Sequence, residues 1–303
     1  MTIPPEPRPA WTHGPVGVVG LGLIGGSLGL DLQARGAEVR ALVHRAATAE
    51  RARARALATR VATEPSVLEG CELVVLALPL DRLLVPSPEL VAALPAAAVL
   101  TDVGSVKVPL LPAWSEALGR IGRPEQARRF VPSHPMAGTA EAGVEAGVAN
   151  LFVGRPWVVT PEASTDPAAL ALVADLAASL GARWLCCGAA AHDQAVALIS
   201  HLPVLVSAAL LQAADRGGGR NGPLLAELVR ALASSGFADT TRVGGGNPEL
   251  GTLMARCNRE ALLEALGTYR HCLEVLEHEV RAEAWGPLQE ALAACRDLRP
   301  QFL

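Results

Sequence analysis

Aromatic residues are scarce in this 303-residue chain, which has five Trp, four Phe and a single Tyr. So few rings leave little stacking surface for single-stranded nucleic acid. Only 18% of the residues are charged, and a net charge of −4 gives no basic surface for a phosphate backbone. Nucleic acid is therefore not an expected partner, and the hydrophobic cores must be built from Ala, Leu and Val.

Cysteine is also sparse, with six residues and no C-x-x-C pair or other zinc-type spacing. The adjacent Cys186 and Cys187 are poorly placed to bridge each other. Reduced thiols, a cytoplasmic location and no bound metal are the prediction. Residues 1–15 contain five prolines and no apolar segment of the kind that signal peptides have, so they predict a frayed tail.

Long hydrophobic runs are missing, although half of the residues are hydrophobic. The most apolar stretch, residues 189–214, is interrupted by polar residues such as Asp193, and Pro203 lies within it. Its longest apolar piece, residues 202–211, is shorter than the ~20 residues that a membrane span needs. This stretch predicts a buried helix, and no membrane is expected as a partner.

Short Val- and Leu-rich runs alternate with helical segments over residues 14–188, which is typical of a mostly parallel sheet covered on both faces. The predicted strands are residues 16–19, 38–43, 73–78, 99–102, 130–132, 157–160 and 183–187, and helices between them include 24–35, 48–58, 88–94 and 167–180. Over residues 189–303 only helices are predicted, at 191–214, 224–234, 248–281 and 287–298. The predicted breaks between these helices fall at 217–219, 244–246 and 285–286. The fold class is therefore α/β, with a doubly wound sheet followed by an all-helical domain.

The predicted helices of the second domain are apolar around most of their circumference. A domain of about 115 residues would struggle to hide that much apolar surface alone. Burial against a second copy, most simply in a two-fold homodimer, is the prediction.

A glycine-rich turn joins the first predicted strand to the first predicted helix. Gly20 suits the tight turn, Gly22 lets the backbone approach a pyrophosphate, and Gly25 lets the helix pack closely on the strand. Leu23 and Ile24 complete this G-x-G-x-x-G motif. The motif predicts a dinucleotide cofactor, and S-adenosylmethionine is the alternative ligand.

The end of the second predicted strand distinguishes NADP from NAD. Enzymes that use NAD usually place an acid here to bind the ribose 2′-hydroxyl, whereas this chain has His44 and Arg45. Arg45 offers a planar fork for a 2′-phosphate, and His44 and Thr48 add donors. NADP is therefore favoured over NAD, unless Arg45 is only a surface charge of an arginine-rich helix.

Polar residues cluster at three places in the otherwise apolar sequence, namely 101–107, 133–139, and 200–203 together with 239–242. His134 is predicted on a loop at the ligand edge of the sheet. It is the best candidate for the general base that would take the proton of a substrate hydroxyl at neutral pH during hydride transfer. Ser105 would bond the same substrate hydroxyl, and Arg242 would clamp a carboxylate. His201 is the weaker candidate for the base.

Six segments carry a resemblance to a known family. In chain order they are GLGLIGGS at 20–27, DVGSVK at 102–107, HPMAGT at 134–139, HD at 192–193, SHLP at 200–203 and SSGFADTTR at 234–242. Together they resemble the prephenate/arogenate dehydrogenases of tyrosine biosynthesis, over residues 14–293. GGGNPELG at 244–251 and HDQAVA at 192–197 resemble the cyanobacterial arogenate dehydrogenases most.

The resemblance implies a Rossmann domain, a helical dimerisation domain and oxidative decarboxylation of a cyclohexadienol. A hydride leaves C4 for nicotinamide, CO2 leaves C1, and the ring becomes aromatic. His134 is implied as the base on the C4 hydroxyl, with Ser105 bonding that hydroxyl and Arg242 binding a carboxylate. Further residues implied by motif position are the substrate-binding Thr139, Ser200 and His201 and the cofactor-binding Leu78, Asp102 and Val103.

Two positions depart from many prephenate-preferring bacterial members, which carry Glu and His where this chain has Ala140 and Val204. These departures alter the part of the pocket that meets the substrate's side chain, and the cyanobacterial likeness favours L-arogenate as substrate. NADP remains the favoured cofactor because of Arg45, and a monofunctional enzyme is expected because no further domain is left for a chorismate mutase or a regulatory module. The alternative is a prephenate dehydrogenase that forms 4-hydroxyphenylpyruvate. Less favoured alternatives are a β-hydroxyacid dehydrogenase or imine reductase, and a non-catalytic NADP sensor.

Overall fold

A computed structural model describes residues 11, 14–139, 141–220 and 222–302. The chain forms two compact units, and the first takes in the described residues up to Val196 together with Gly246–Cys257. The second unit comprises Ala197–Gly245 and the described residues from Asn258 onward. Most of the predicted N-terminal tail lies outside the described residues, and so does Ala140.

The first unit is built on a six-stranded parallel sheet, in agreement with the predicted fold class. Its strands are β1 (Val16–Val19), β2 (Val39–Leu42), β3 (Arg60–Ala62), β4 (Leu73–Leu76), β5 (Val99–Asp102) and β6 (Phe130–Val131). The helices between them are α1 (Leu23–Ala34), α2 (Ala46–Ala54), α3 (Leu80–Leu84), α4 (Pro88–Ala93) and α5 (Leu110–Arg120). The strand order is β3-β2-β1-β4-β5-β6, which is the Rossmann order with its switch point between β1 and β4.

Both faces of this sheet are buried, which explains why its strands are continuous apolar runs. In β4, Leu73 and Val75 pack into the core on one face, with residues of α1 and α2. Val74 and Leu76 pack into the core on the other face, with residues of α4 and α5. The alternation follows from the two-residue period of a strand, and the helices on either side keep water from the sheet.

A second sheet of three strands follows, and here the structure differs from the prediction of one mostly parallel sheet. It contains β7 (Ser133–Pro135), β8 (Pro156–Val159) and β9 (Arg183–Cys186), with α6 (Pro167–Ser179) before β9. β7 pairs antiparallel with β8, and β8 pairs parallel with β9. The sequence missed β3 and β7, because strands of three residues are too short to show a period of two.

Beyond residue 188 the described residues contain no strand, as predicted. The helices are α7 (Ala189–Val196), α8 (Leu202–Arg220), α9 (Pro223–Leu232), α10 (Ser235–Thr241), α11 (Pro248–Cys257), α12 (Arg259–Arg281) and α13 (Trp285–Leu298). Three predictions were wrong in detail. The predicted helix over 248–281 is interrupted at Asn258, α8 runs through the predicted break at 217–219, and α13 begins at the predicted break at Trp285.

Residues Ala189–Arg220 form a helical stretch that is long and apolar enough, by length and composition, to cross a membrane. The chain buries only 28% of its most apolar window, so the predicted burial is not achieved within one copy. On α9, Leu224, Leu228 and Leu232 recur every fourth residue, and their exposed fractions are 79%, 48% and 70%. These leucines form one apolar stripe on the helix.

Candidate active site

The glycine turn between β1 and α1 has the geometry that a pyrophosphate needs. Gly20 has a φ of +95°, and a Cβ there would lie 2.3 Å from the carbonyl oxygen of Ala77. A Cβ on Gly25 would lie 2.0 Å from the carbonyl oxygen of Gly20. A Cβ on Gly22, in contrast, would meet no atom within 4 Å. The backbone thus requires glycine at positions 20 and 25, whereas the space beside Gly22 is open to a ligand.

The start of α1 borders that open space. No side chain caps the helix at Gly22, and its first turn, which includes the half-buried Leu23 and Ile24, contains no acid. Backbone N–H groups and the positive end of the helix dipole are therefore left for an anionic ligand. The residues present fit a dinucleotide at this place.

The end of β2 presents basic rather than acidic groups. His44 and Arg45 are exposed, and Thr48 is half-buried in the first turn of α2. Arg45 is the N-cap residue of α2, and among the described residues no carboxylate lies within ion-pair distance of its guanidinium. Its charge is thus available to a phosphate.

A buried ion pair links the end of β5 to β7. The side chains of Asp102 and Lys107 are both fully buried, and Lys107 Nζ also donates to the carbonyl oxygen of Ser133 at 2.6 Å. Asp102 accepts hydrogen bonds from the backbone N–H groups of Gly104 and Ser133, at 2.7 and 3.0 Å. Burial lowers the pKa of Lys107, and the negative charge of Asp102 opposes that shift. Asp102, which was assigned to cofactor binding from the sequence, thus bonds to donors of the protein itself. These contacts hold the end of β5 against β7.

The predicted base, His134, lies in β7 rather than in a loop, and it is half-buried. Its Nδ1 is 3.0 Å from Nε2 of His192. Nδ1 of His192 is in turn 2.7 Å from Oδ1 of Asp193. Asp193 also accepts hydrogen bonds from the backbone N–H groups of Lys107 and Val108, at 2.7 and 2.9 Å. A connected polar chain therefore runs from His134 to the segment after β5.

The other predicted residues of the first unit border this chain. Ser105 is half-buried and lies in the loop between Asp102 and Lys107, whose two ends are fixed by the contacts described above. Leu78 and Val103, both half-buried, follow β4 and β5 at the carboxyl edge of the sheet, where ligands bind in open α/β sheets. Thr139 is exposed, and its hydroxyl accepts a hydrogen bond from the N–H of Glu141.

Arg242, in the second unit, projects from a closely packed turn. The turn, Arg242–Gly245, follows α10, and a Cβ on Gly244 would lie 2.3 Å from the backbone N of Ala208. Ser207 fastens the turn to α8, because its hydroxyl donates to the carbonyl oxygen of Thr240 and accepts from the N–H of Gly244, both at 2.9 Å. Arg242 is thus exposed, while the backbone that carries it is held in place by these contacts.

Ser200 and His201 end the π-helical turn before α8. Ser200 is half-buried, whereas only 2% of His201 is exposed, and its Nδ1 lies 3.2 Å from the side-chain amide of Asn258. The sequence did not point to Asn258, because an Asn between two helices is also an ordinary helix-capping residue.

The structure gives contacts to Lys107, His192 and Asp193, which lie in the DVGSVK and HD segments but were not among the predicted site residues. The sequence places an adjacent His and Asp in an otherwise apolar helical stretch, and this was the signal available. Both side chains are buried, with 3% and 4% of their surface exposed. Buried polar groups in apolar helices are expected to have specific partners, and here the partners lie on β7 and after β5.

Comparisons with known proteins match both parts of the chain. Residues 28–186 match the family described as prephenate dehydrogenase, nucleotide-binding domain, and residues 188–294 match prephenate dehydrogenase, dimerization domain. A cyclohexadienyl dehydrogenase of Zymomonas mobilis is 30% identical over 298 residues, which cover 94% of this chain and 98% of the relative.

Two solved structures are also similar. The arogenate dehydrogenase of Synechocystis is 40% identical with a TM-score of 0.78, and the match covers 95% of this chain and 99% of that one. The prephenate dehydrogenase of Aquifex aeolicus, solved with hydroxyphenyl propionate and NAD+, is 26% identical with a TM-score of 0.86. That match covers 97% of this chain and 100% of the other.

Proposed function

Because the chain belongs to the prephenate dehydrogenase family, we propose that it catalyses the NADP-dependent oxidative decarboxylation of L-arogenate to L-tyrosine. The observation that carries the proposal is the placement of His134. Its ring is held by a polar chain that also fixes the loop of Ser105, next to a sheet whose glycine turn fits a dinucleotide.

In this reaction His134 takes the proton of the C4 hydroxyl, and Ser105 bonds the same oxygen to orient it. NADP, held at the glycine turn and by Arg45, would supply the acceptor for the hydride that leaves C4. The electron pair of the bond between C1 and the carboxylate then enters the ring, CO2 departs, and the phenolate oxygen recovers its proton from His134. Arg242 binds a carboxylate of the substrate through its planar fork. Aromatisation and the loss of CO2 make the step effectively irreversible.

NADP is proposed because Arg45 stands where an acid would repel a 2′-phosphate. Replacing Arg45 by Ala is expected to raise the dissociation constant of NADP about tenfold, the scale of one charge-assisted contact, and to change that of NAD little. Titration of protein fluorescence with each cofactor measures both constants. Arg51, six residues further along the chain in α2, is the matched control, since Arg51→Ala should leave the ratio of the two dissociation constants unchanged. Equal losses of NADP and NAD affinity in Arg45→Ala would show that Arg45 does not bind the 2′-phosphate.

The alternative with support of its own is a prephenate dehydrogenase using NAD, because the Aquifex aeolicus structure carries that name and that cofactor. The two substrates differ at the end of their side chain, which is an amino acid in arogenate and a keto acid in prephenate. Comparing them therefore tests the part of the pocket that binds this end. We expect kcat/KM to be highest for arogenate with NADP among the four substrate–cofactor pairs. Steady-state kinetics of all four pairs decide between the two, and a higher kcat/KM for prephenate with NAD would reverse the assignment.

We further propose a cytoplasmic homodimer formed through the helical unit. The apolar stripe of Leu224, Leu228 and Leu232, and the largely unburied helix over Ala189–Arg220, supply surface for a second copy. The matched family description for this part of the chain, a dimerization domain, supports the same arrangement. The reading as a β-hydroxyacid dehydrogenase or imine reductase loses its support with the family match. The reading as an NADP sensor predicts no turnover with any of the four pairs.

A further inference from the structure

We propose that His192 and Asp193 form a relay that sets the protonation pattern of His134 and couples it to the loop of Ser105. The two residues are positioning residues, because they act on the substrate only through His134 and that loop. The inference rests on the proposed function, since it assigns His134 the role of base.

The order of hydrogen bonds determines where each proton lies. The carboxylate of Asp193 can only accept, so Nδ1 of His192, at 2.7 Å, carries a proton. The Nε2 of a neutral His192 then has a lone pair, and Nδ1 of His134, at 3.0 Å, donates to it. The lone pair of His134 is therefore left on Nε2. The relay thus selects the tautomer in which His134 can accept a proton at Nε2.

The same chain stabilises the charged state that follows proton transfer. Once His134 holds protons on both nitrogens, Nδ1 still donates to His192, and the negative charge of Asp193 lies one ring further away. Among the charged groups nearby, Asp102 and Lys107 are paired with each other and offset one another. Burial raises the pKa of the Cys187 thiol, which keeps it uncharged. Through His192, Asp193 thus supports a His134 ring that is protonated at both nitrogens, because Nδ1 keeps its acceptor.

Asp193 also connects the base to the hydroxyl-binding loop. Its two carboxylate oxygens hold the N–H groups of Lys107 and Val108, directly after the loop that contains Ser105. The carboxylate therefore fixes one end of that loop and the ring of His192 together. A substrate hydroxyl that bonds both Ser105 and His134 would require this common anchor, because small misplacements of reacting groups are costly.

Replacing His192 tests the relay. In His192→Phe the ring remains but cannot accept from His134, and we expect kcat to fall about 10- to 100-fold, the usual effect of losing an orienting partner of a functional His. KM for arogenate and the dissociation constant of NADP should stay within about twofold. The acid limb of the pH profile of kcat/KM should move to lower pH, since the imidazolium of His134 loses its stabilisation.

Two further variants separate the relay from a packing role. His192→Gln keeps an oxygen that can accept from His134, so it should retain more activity than His192→Phe. His278→Phe, an exposed histidine on α12, is the matched control and should behave like the unaltered enzyme. An unchanged kcat and pH profile in His192→Phe, or equal losses in the Gln and Phe variants, would overturn the relay.

A measurement on the unaltered enzyme keeps the test independent of catalysis and of the folding of the His192 variants. The 15N chemical shifts of the histidine rings should show His134 protonated at Nδ1 and unprotonated at Nε2 near neutral pH, with signals assigned by their loss in His134→Gln. The opposite tautomer would refute the relay. Absence of turnover with all four substrate–cofactor pairs would instead refute the proposed function, whatever the tautomer.

Discussion

Replacing His134 by Ala is expected to lower kcat with arogenate and NADP by at least about 100-fold, the lower end of the effect of removing a general base. The imidazole is the group that takes the C4 hydroxyl proton in the proposed reaction, and the methyl group of Ala cannot. Ser105 would still bond the hydroxyl, but a neutral serine does not remove its proton. Single-turnover kinetics, which follow formation of NADPH with enzyme in excess, measure the chemical step directly.

Binding should survive this substitution. His134 is half-buried in β7 and contributes no side chain to the glycine turn, so the dissociation constant of NADP should change less than about threefold. His271→Ala, at an exposed position of α12, is the matched control for loss of an imidazole and should keep full turnover. A kcat within threefold of the unaltered enzyme would show that His134 is not the base.

The Rossmann-type sheet was predictable because its signals are local and strong. Strands buried on both faces appear as apolar runs. In the glycine turn Gly20 has a positive φ, and a Cβ on either Gly20 or Gly25 would collide with a carbonyl oxygen. The bounds of β1 and β5 agree with the prediction to the residue. The sequence placed His134 in a loop, whereas it lies in a strand of the second sheet. This strand, β7, is only three residues long and was therefore not predictable.

The residues that hold the reactive side chains in place were harder to predict than the reactive side chains themselves. The side-chain chemistry of His134, Ser105 and Arg242 suggests a function from the sequence alone. The partners that hold them depend on contacts across long stretches of sequence, such as Asp193 with the backbone of Lys107. The apolar content of α8 and α9 likewise predicted burial, but the described part of the chain leaves much of both helices exposed.

The ion pair of Lys107 and Asp102 should have the largest effect on stability. Lys107→Met keeps the length of the side chain but removes its charge, which leaves the carboxylate of Asp102 buried without its cation. Breaking a fully buried pair from one side typically costs about 3–5 kcal/mol, so the free energy of unfolding of the first unit should fall by that amount. Denaturant unfolding, followed by the fluorescence of the buried Trp114 and Trp157, measures the change.

A second substitution shows whether the unpaired charge is the cause. In Lys107→Met with Asp102→Asn no buried charge remains, and an amide oxygen can still accept from Ser133, so the double variant should be more stable than Lys107→Met alone. Arg120→Met, which breaks an exposed ion pair with Glu116, is the matched control and should change the unfolding midpoint little. If Lys107→Met shifted the midpoint no more than Arg120→Met, the pair would not be what holds β7, and with it His134, against the end of β5. A shift of the expected size would show that the pair stabilises the contact between β7, which carries His134, and the end of β5.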